Sequence, residues 1–363
     1  MFIIYCIVFA FGVIVSSVVT PLCIRAALKF GYLDRPSERK MHTETVPYGG
    51  GVAIFISLTF IVLILYMVAK NNLYLPDDLP DFIDLNVLLK DTRALSFLFG
   101  ALGIFTLGLL DDIYDIPAKA KLCIQIVIVS LVIKFSSMTM SFFIHNPWVG
   151  FIGTLLWIIL ITNAFNLLDN MDGICAGVSI ITLLIYFVLL ISFQQYLVSL
   201  LTLVVSAPLV VFMFYNKPPA KVYLGDAGSL MLGFLIAILS VMSTYYREGQ
   251  HLSTYFTPLL ILAIPLFDVI TVMLIRYRLG TPFFRADKNH FSHRLLNLGL
   301  SPVKVLLIIL TITFVMGIGA VLLIHSNDFQ SLIIFIEALM IFALIVVFEK
   351  IGAKRKQSKS IND

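Results

Sequence analysis

Long apolar stretches constrain this chain more than any other feature of its sequence. A membrane-spanning helix needs about 20 mostly apolar residues, and we count eleven such stretches. Eleven spans would use about 220 positions, which leaves too little of the 363-residue chain for a large soluble domain. The predicted spans are Phe2–Leu28, Val52–Ala69, Leu95–Leu110, Leu122–Ile144, Trp148–Phe165, Val178–Phe193, Leu197–Phe214, Leu230–Tyr246, Phe256–Ile275, Pro302–Ile324 and Phe329–Phe348.

The composition agrees with a membrane protein. Hydrophobic residues make up 60% of the chain and charged residues 13%, whereas an ordinary soluble domain is about a quarter charged. Secreted disulfide scaffolds, coiled coils and nucleic-acid binders are therefore excluded. The sequence predicts an all-α polytopic membrane protein, with one integral-membrane domain over 1–363 that includes a basic tail at 350–363. The four cysteines show no paired spacing, so we expect reduced thiols.

The distribution of Lys and Arg predicts the orientation in the membrane. Basic residues accumulate in cytoplasmic segments. Eleven spans with a cytoplasmic C-terminus and an outside N-terminus place 20 of the 25 basic residues on the cytoplasmic side. The opposite orientation would invert this ratio. We therefore expect the polar motifs described below to face the cytoplasm.

The first polar motif is Asp111-Asp112-Ile113-Tyr114-Asp115, at the predicted cytoplasmic end of the third span. On a continuing helix, Asp111 and Asp115 would share one face, with Asp112 beside them. Carboxylates this close repel one another unless a divalent cation or a cationic group neutralises them. The alternative is a solvated helix end, which would place anions at the unfavourable end of the helix dipole.

The second motif is Asn163-x-x-Asn166-x-x-Asp169-x-x-Asp172-Gly173. The first three side chains would fan across one side of a helix, and Asp172 would turn away unless the helix breaks at Gly173. Amides and carboxylates suit a nucleobase, a sugar or a metal-bound water. The alternative is hydrogen bonding between neighbouring helices.

The third motif is Gly225-Asp226-Ala227-Gly228-Ser229, directly before the eighth span. Glycines before a helix allow backbone N–H groups to approach a phosphate, and the helix dipole favours anions there. A carboxylate in the same turn would repel that phosphate unless it binds a cation. Asp226 is therefore the candidate metal ligand, with Asp112 as the second candidate. The segment Pro47–Gly51 fits a tight re-entry before the second span as well as it fits a site.

The fourth motif is a loop that carries His290, His293 and Arg294. Its imidazole and basic groups fit a diphosphate better than a transition metal, because the other motifs offer hard oxygen ligands and no thiolate. Asp268 lies inside the ninth predicted span, where an ionisable residue suggests a function. Together the motifs indicate Mg²⁺-assisted phosphoryl transfer. A secondary transporter is the alternative, although its sites usually lie near the bilayer midplane.

These motifs, in this order, resemble the polyprenyl-phosphate N-acetylhexosamine-1-phosphate transferases of the WecA, TagO and MraY types (glycosyltransferase family 4). The similarity covers essentially the whole chain and is strongest to the WecA/TagO branch. One difference is Ser292, where that branch usually carries a third histidine in a His-x-His-His pattern. The MraY branch, which uses a muramoyl-pentapeptide substrate, carries a denser run of histidines.

The resemblance implies an enzyme of the bacterial cytoplasmic membrane with its active site on the cytoplasmic face. Its substrates would be a UDP-N-acetylhexosamine and undecaprenyl phosphate, its product UMP, and its cofactor Mg²⁺ or alternatively Mn²⁺. The transferred group is expected to be N-acetylglucosamine-1-phosphate, in the initiating step of cell-envelope polysaccharide synthesis, while other UDP-sugars and a homodimeric state are left open. Direct attack by the lipid phosphate is favoured over an aspartyl-phosphate intermediate.

The resemblance also implies a role for each residue of the motifs. Asp111 and Asp112 would be the catalytic pair beside the lipid phosphate, and Asp226 the metal ligand. Lys121 would bind the lipid phosphate. Substrate-binding roles on the nucleotide and diphosphate side are implied for Asn163, Asn166, Asp169, Asp172, His290, His293 and Arg294.

Overall fold

The structure, a computed structural model, describes residues 2–34, 45–70, 92–140, 146–246, 251–282 and 289–362. The basic segment Arg39–His42 and the loop residues Arg285, Asp287 and Lys288 lie outside the described residues. The chain divides into two compact units, Met1–Thr244 and Tyr245–Asp363. The expectation that 1–363 acts as one integral-membrane domain stays a prediction.

The first unit contains eight α-helices and one short two-stranded sheet among its described residues. Strands β1 (Leu33–Asp34) and β2 (Val46–Pro47) pair antiparallel after the first helix. The helices are α1 (Phe2–Phe30), α2 (Gly50–Lys70), α3 (Thr92–Tyr114), α4 (Ala118–Ser136), α5 (Pro147–Leu168), α6 (Ile174–Ser192), α7 (Tyr196–Asn216) and α8 (Gly225–Met242).

The second unit is also helical where it is described. A 3₁₀ turn, Leu252–Phe256, leads into α9. The α-helices are α9 (Thr257–Ile261), α10 (Ala263–Leu279), α11 (Phe291–Leu296), α12 (Pro302–Leu323) and α13 (Asp328–Asn362). The predicted basic tail therefore continues the last helix.

The all-helical membrane class is confirmed, and each of the eleven predicted spans lies largely within helix. Among the described residues, nine helices are long and apolar enough to cross a membrane. The count becomes ten if the bent pair Leu252–Ile261 and Ala263–Leu279 is one span. Helix α4 is not among these because its 19 residues include Lys119, Lys121 and Lys134. Eleven crossings and the predicted orientation stay predictions.

Two predicted spans need correction. The span predicted over Leu122–Ile144 is helical only to Ser136, where Ser137 takes up a left-handed backbone with φ 53°. The Ser136 hydroxyl accepts the Met138 N–H and so competes with continued helix. The span predicted over Phe256–Ile275 bends by 72° between Ile261 and Ala263. Pro265 explains this bend, because it has no N–H to donate to the carbonyl four residues earlier.

Helix α8 is the centre of the first unit. Every residue from Ala227 to Ser240 is buried, and the helix packs against α2, α3 and α5. A helix that is apolar on all sides can be buried on all sides. This burial places α8 among the other helices of the unit, and its first turn carries Asp226.

The segment before α2 reaches the start of α8 through backbone contacts. The N–H groups of Gly50 and Gly51 each donate at 3.0 Å, to the carbonyls of Tyr223 and Leu224 respectively. A Cβ at Gly51 would lie 2.4 Å from the backbone nitrogen of Gly228, so no larger residue fits without displacement. The glycine segment predicted before the second span therefore provides close helix packing.

Candidate active site

Three charged side chains meet at the ends of α3, α4 and α8. The Lys121 ammonium binds Oδ2 of Asp111 and lies 2.8 Å from Oδ2 of Asp226. Asp111 is buried and Lys121 is largely so. One cation thus holds together two carboxylates from different helices, which would otherwise repel each other.

The side chain of Asp112, from α3, caps the N-terminus of α8. Its Oδ1 accepts the backbone N–H of Asp226 at 2.7 Å, and its Oδ2 accepts that of Ala227 at 3.1 Å. The Tyr32 hydroxyl also donates to Oδ2, at 2.7 Å. Gly225 makes this contact possible, since its φ is +73° and a Cβ there would lie 2.6 Å from Oδ2.

The cap formed by Asp112 corrects one prediction made from the glycine motif. We expected the N–H groups before the eighth span to approach a phosphate of the substrate. In the structure, two of these groups instead bind the carboxylate of Asp112. The physical reason behind the prediction still applies, since an anion is stabilised at a helix N-terminus. The anion found there is a side chain of the protein and not a substrate phosphate.

Asn166 joins the same cluster. Its amide Nδ2 donates to Oδ1 of Asp226 at 2.7 Å and to Oγ of Ser229 at 2.9 Å. Each carboxylate oxygen of Asp226 therefore has a donor, Asn166 on one side and Lys121 on the other. The orientation of this carboxylate is fixed by groups from two other helices.

Asp169 and Asp172 follow the end of α5, where the chain turns before α6. Gly173, with φ 77°, breaks the helix as predicted. Oδ2 of Asp172 accepts the Ala220 N–H at 2.9 Å. Burial raises the pKa of the Asp169 carboxyl well above its usual range, and the negative charges of Asp226, Asp112 and Asp172 raise it further.

Asn163 lies one turn before Asn166 on α5 and makes different contacts. Its Nδ2 donates to Oε1 of the buried Gln125 at 2.7 Å and to the Ile159 carbonyl at 2.8 Å. These contacts fit the alternative of hydrogen bonding between helices. The substrate-binding role of Asn163 stays a prediction.

Asp115 does not share a helix face with Asp111, which corrects a second prediction. Helix α3 ends at Tyr114, and Asp115 has a left-handed backbone with φ 52°. Its N–H still donates to the Asp111 carbonyl at 2.9 Å, while its side chain is exposed. The neighbouring Ile116 N–H binds Oδ1 of Asp111 at 2.8 Å and so helps to hold that carboxylate.

Three tyrosines, Tyr32, Tyr48 and Tyr223, lie near these carboxylates, and the ring of Tyr48 contacts the other two. The ring centroid of Tyr48 lies 5.4 Å from that of Tyr32 and 6.4 Å from that of Tyr223. Burial raises the pKa of all three hydroxyls above their usual range, and nearby aspartates add to the effect. The hydroxyls are therefore neutral hydrogen-bond donors at physiological pH.

The histidine loop lies in the second unit. Nδ1 of His290 is 2.9 Å from Oδ2 of the buried Asp268. His293 follows one turn later, with its ring centroid 6.3 Å from that of His290. Arg294 donates from Nε to Oε1 of Glu349, and from Nη2 to Oγ1 of Thr271, both at 2.9 Å.

The carboxylate cluster has the donor chemistry of a magnesium site. No group of three or more His, Cys, Asp and Glu side chains is placed to hold a metal in the described part of the chain. Magnesium, however, commonly binds one or two carboxylates and completes its shell with water and substrate phosphates. Asp111 and Asp226 already converge on one cation, the Lys121 ammonium. These residues fit a divalent ion as well.

Sequence reasoning missed three residues that contact the predicted ones. Tyr32 binds Asp112 from 80 positions away, Gln125 binds Asn163, and Glu349 binds Arg294. Tyr32 lies outside all of the polar motifs, so no spacing could have indicated its role. Gln125 and Glu349 are polar residues within or beside apolar stretches, and this signal could have found them.

Comparisons with known proteins agree with the resemblance of the motifs. The sequence model of glycosyl transferase family 4 matches residues 94–244. A protein of Bacillus subtilis, named probable undecaprenyl-phosphate N-acetylglucosaminyl 1-phosphate transferase, is 36% identical over 92% of this chain and 87% of its own.

Two enterobacterial proteins named undecaprenyl-phosphate alpha-N-acetylglucosaminyl 1-phosphate transferase are also similar. The protein of Yersinia pestis is 28% identical over 76% of this chain and 72% of its own. That of Escherichia coli K12 is 25% identical over 89% of this chain and 85% of its own. The matched family region contains the Asp111–Lys121–Asp226 cluster, and the similarity to the Bacillus protein extends over nearly the whole chain. This chain therefore belongs to the glycosyl transferase family 4, within its polyprenyl-phosphate N-acetylhexosamine-1-phosphate transferases.

Proposed function

We propose that this protein transfers N-acetylglucosamine-1-phosphate from UDP-N-acetylglucosamine to undecaprenyl phosphate and releases UMP. The observation that carries the proposal is the cluster in which Lys121 binds both Asp111 and Asp226. It lies at helix ends, where a membrane-embedded lipid phosphate and a soluble nucleotide can meet. The names of the relatives support the same donor sugar and acceptor lipid.

Lys121 has the position and charge to bind the acceptor phosphate. The second pKa of a phosphate monoester is about 6, so the lipid phosphate is largely a dianion at neutral pH. It needs no strong general base. One of its oxygens attacks the sugar-linked phosphorus of the UDP-sugar and forms a new P–O bond. The bond from this phosphorus to the bridging oxygen breaks, and UMP leaves with the electron pair.

Asp226 and Asp111, which converge on one ammonium group, would hold a magnesium ion. Asp112, the second metal ligand expected from the sequence, has both oxygens bound to N–H groups of α8 and is the less suitable ligand. When bound, the ion would offset negative charge on the diphosphate and on the leaving UMP. Asn166 fixes the carboxylate of Asp226 through a hydrogen bond of 2.7 Å. The Ile116 N–H does the same for Asp111.

The contacts of Asp112 disfavour a covalent aspartyl-phosphate on this residue, one of the two aspartates that could form one, the other being Asp111. A nucleophilic carboxylate needs a free oxygen that faces the reacting phosphorus. Both oxygens of Asp112 accept backbone N–H groups, and one also accepts the Tyr32 hydroxyl. A covalent intermediate on Asp112 would have to break these bonds first.

A panel of nucleotide sugars tests the proposed reaction. Purified protein would be incubated with undecaprenyl phosphate, Mg²⁺ and one of four UDP-sugars: GlcNAc, GalNAc, a MurNAc-pentapeptide or a modified hexosamine. We expect lipid-linked product and UMP in equal amounts, with the highest kcat/KM for UDP-GlcNAc. A preference for the MurNAc-pentapeptide would move the protein to the other branch of the family. No product with any donor would contradict the proposed function.

We also propose that the site faces the cytoplasm of a bacterial inner membrane. Single cysteines at Lys119 and at Asn146, which are both exposed, test this in a variant whose native cysteines are changed to Ala. A membrane-impermeant maleimide should label Lys119→Cys only in inverted vesicles and Asn146→Cys only in intact cells. The reverse pattern would contradict the orientation and the use of a cytosolic UDP-sugar.

A further inference from the structure

We propose that Tyr32 is a positioning residue that orients Asp226 by acting through Asp112. The proposal rests on the proposed function for the role of Asp226 itself. Tyr32 lies between α1 and β1, far from the polar motifs in sequence. Its hydroxyl nevertheless donates to Oδ2 of Asp112 at 2.7 Å.

One carboxylate connects three parts of the chain at this point. Asp112 belongs to the last turn of α3 and accepts the first N–H groups of α8, from Asp226 and Ala227, at 2.7 and 3.1 Å. Such N–H groups have no partner within their own helix. Because Asp112 replaces that partner, its orientation controls whether the first turn of α8 stays formed. Among the described residues, the Tyr32 hydroxyl is the one side-chain group that donates to Asp112.

Backbone contacts hold Tyr32 itself in place. Its carbonyl accepts the Tyr48 N–H at 3.0 Å, and its N–H donates to the Ala27 carbonyl at 2.9 Å. The segment that contains Tyr48 continues to Gly50, which binds the Tyr223 carbonyl just before α8. Tyr32 therefore approaches Asp112 from a fixed backbone, as a positioning group must.

The position of the first turn of α8 matters because Asp226 lies in it. The carboxylate of Asp226 is held by Lys121 and Asn166, and its backbone N–H is held by the Asp112 cap. Fraying of this turn would move the carboxylate away from Asp111. A displacement of about 1 Å at a catalytic group can cost about 10²-fold in rate.

The test compares two variants that each lose one tyrosine hydroxyl from the first unit. Tyr32→Phe removes the donor to Asp112. Tyr5→Phe is the matched control, since the hydroxyl of the buried Tyr5 donates to the Tyr196 carbonyl at 3.1 Å. Hydrogen–deuterium exchange of peptides covering residues 224–230 is measured without substrate, and kcat and KM are measured with UDP-GlcNAc and undecaprenyl phosphate.

We expect the amides of Asp226 and Ala227 to exchange at least about 10-fold faster in Tyr32→Phe and at the wild-type rate in Tyr5→Phe. We expect kcat of Tyr32→Phe to fall about 10-fold while both KM values stay within about 2-fold. In an Asp112→Asn background, Tyr32→Phe should change exchange much less, because the group through which it acts is already altered.

Any of four results would overturn the proposal, and the first three concern the single variants. They are unchanged exchange in Tyr32→Phe, equally faster exchange in Tyr5→Phe, and an effect on KM alone. An equal effect of Tyr32→Phe with and without Asp112→Asn would also overturn it. If the wild-type protein transfers nothing from UDP-GlcNAc, the proposed function fails, and the exchange measurements still decide the role of Tyr32.

Discussion

Nδ1 of His290 lies 2.9 Å from Oδ2 of Asp268, and both side chains are buried. The other oxygen of Asp268 accepts the Phe291 N–H at 2.6 Å, at the start of α11. A carboxylate beside Nδ1 favours the imidazole form that carries a proton there. Asp268 thus orients the imidazole ring of His290.

Removal of Asp268 should destabilise the protein. Asp268→Ala leaves the Phe291 N–H and His290 Nδ1 without their acceptor, and a buried unsatisfied group costs about 1–3 kcal/mol. Asp268→Asn should cost less, because its amide oxygen can still accept the Phe291 N–H. Equilibrium unfolding in mixed micelles measures both. An Ala variant as stable as the wild type would show that these hydrogen bonds contribute no net stability.

Asp226→Asn should lower kcat by at least about 10²-fold, because one well-placed electrostatic contact is worth about this much. The variant keeps the shape of the side chain and an acceptor for Asn166. Asp115→Asn is the control, since Asp115 is a nearby but exposed carboxylate, and we expect its kcat to stay within about 2-fold. Near-normal turnover of Asp226→Asn would exclude Asp226 as the metal ligand.

Lys121→Met should destabilise the protein in the absence of Mg²⁺. Asp111 and Asp226 then lose the ammonium that both of them contact, and Asp111 is left as an unpaired buried charge, which is costly. The double variant Lys121→Met/Asp111→Asn removes this charge, so it should recover part of the lost thermal stability. Simple addition of the two single effects would show that the charges are not coupled.

Gly225→Ala should reduce both stability and activity. The residue has a φ of +73°, and the added Cβ would lie 2.6 Å from Oδ2 of Asp112. Gly280→Ala is the matched control, because Gly280 has a φ of +63° but no atom within 4 Å of the added Cβ. In the control, the free energy of unfolding should fall only by the cost of the left-handed backbone, about 1–2 kcal/mol. Equal losses in the two variants would mean that the contact with Asp112 is unimportant.

Asp169 should make stability depend on pH. Its folded-state pKa is raised by burial and by neighbouring aspartates, so the folded protein holds this proton more tightly than the unfolded chain. The stabilisation is complete below the unfolded pKa of about 3.9 and is lost as the pH rises through the folded pKa. Without Mg²⁺, Asp169→Asn should therefore be more stable than the wild type at pH 8. Parallel stability curves for the two proteins between pH 4 and pH 8 would contradict this.

The errors in the predicted spans have local causes that a hydropathy pattern does not show. The apolar character of Leu122–Ile144 continues past Ser136, but the serine side chain there binds backbone and the helix ends. The apolar stretch Phe256–Ile275 contains Pro265, which could have indicated the bend. Asp111 and Asp115 have helical spacing, yet the helix ends between them.

The sequence alone determined the membrane class, the approximate positions of the helices and the residues of the polar motifs. These properties depend on residues close together in the chain. An apolar stretch of sufficient length must avoid water. Polar groups inside such a stretch are energetically costly and therefore indicate a function. Only the tertiary structure decided which polar groups meet. Lys121 and Asp226 are 105 positions apart, and Asp112 and the Asp226 N–H are 114 apart. Such contacts form because the helices that carry the partners pack together in the first unit, and spacing within one helix cannot specify that packing.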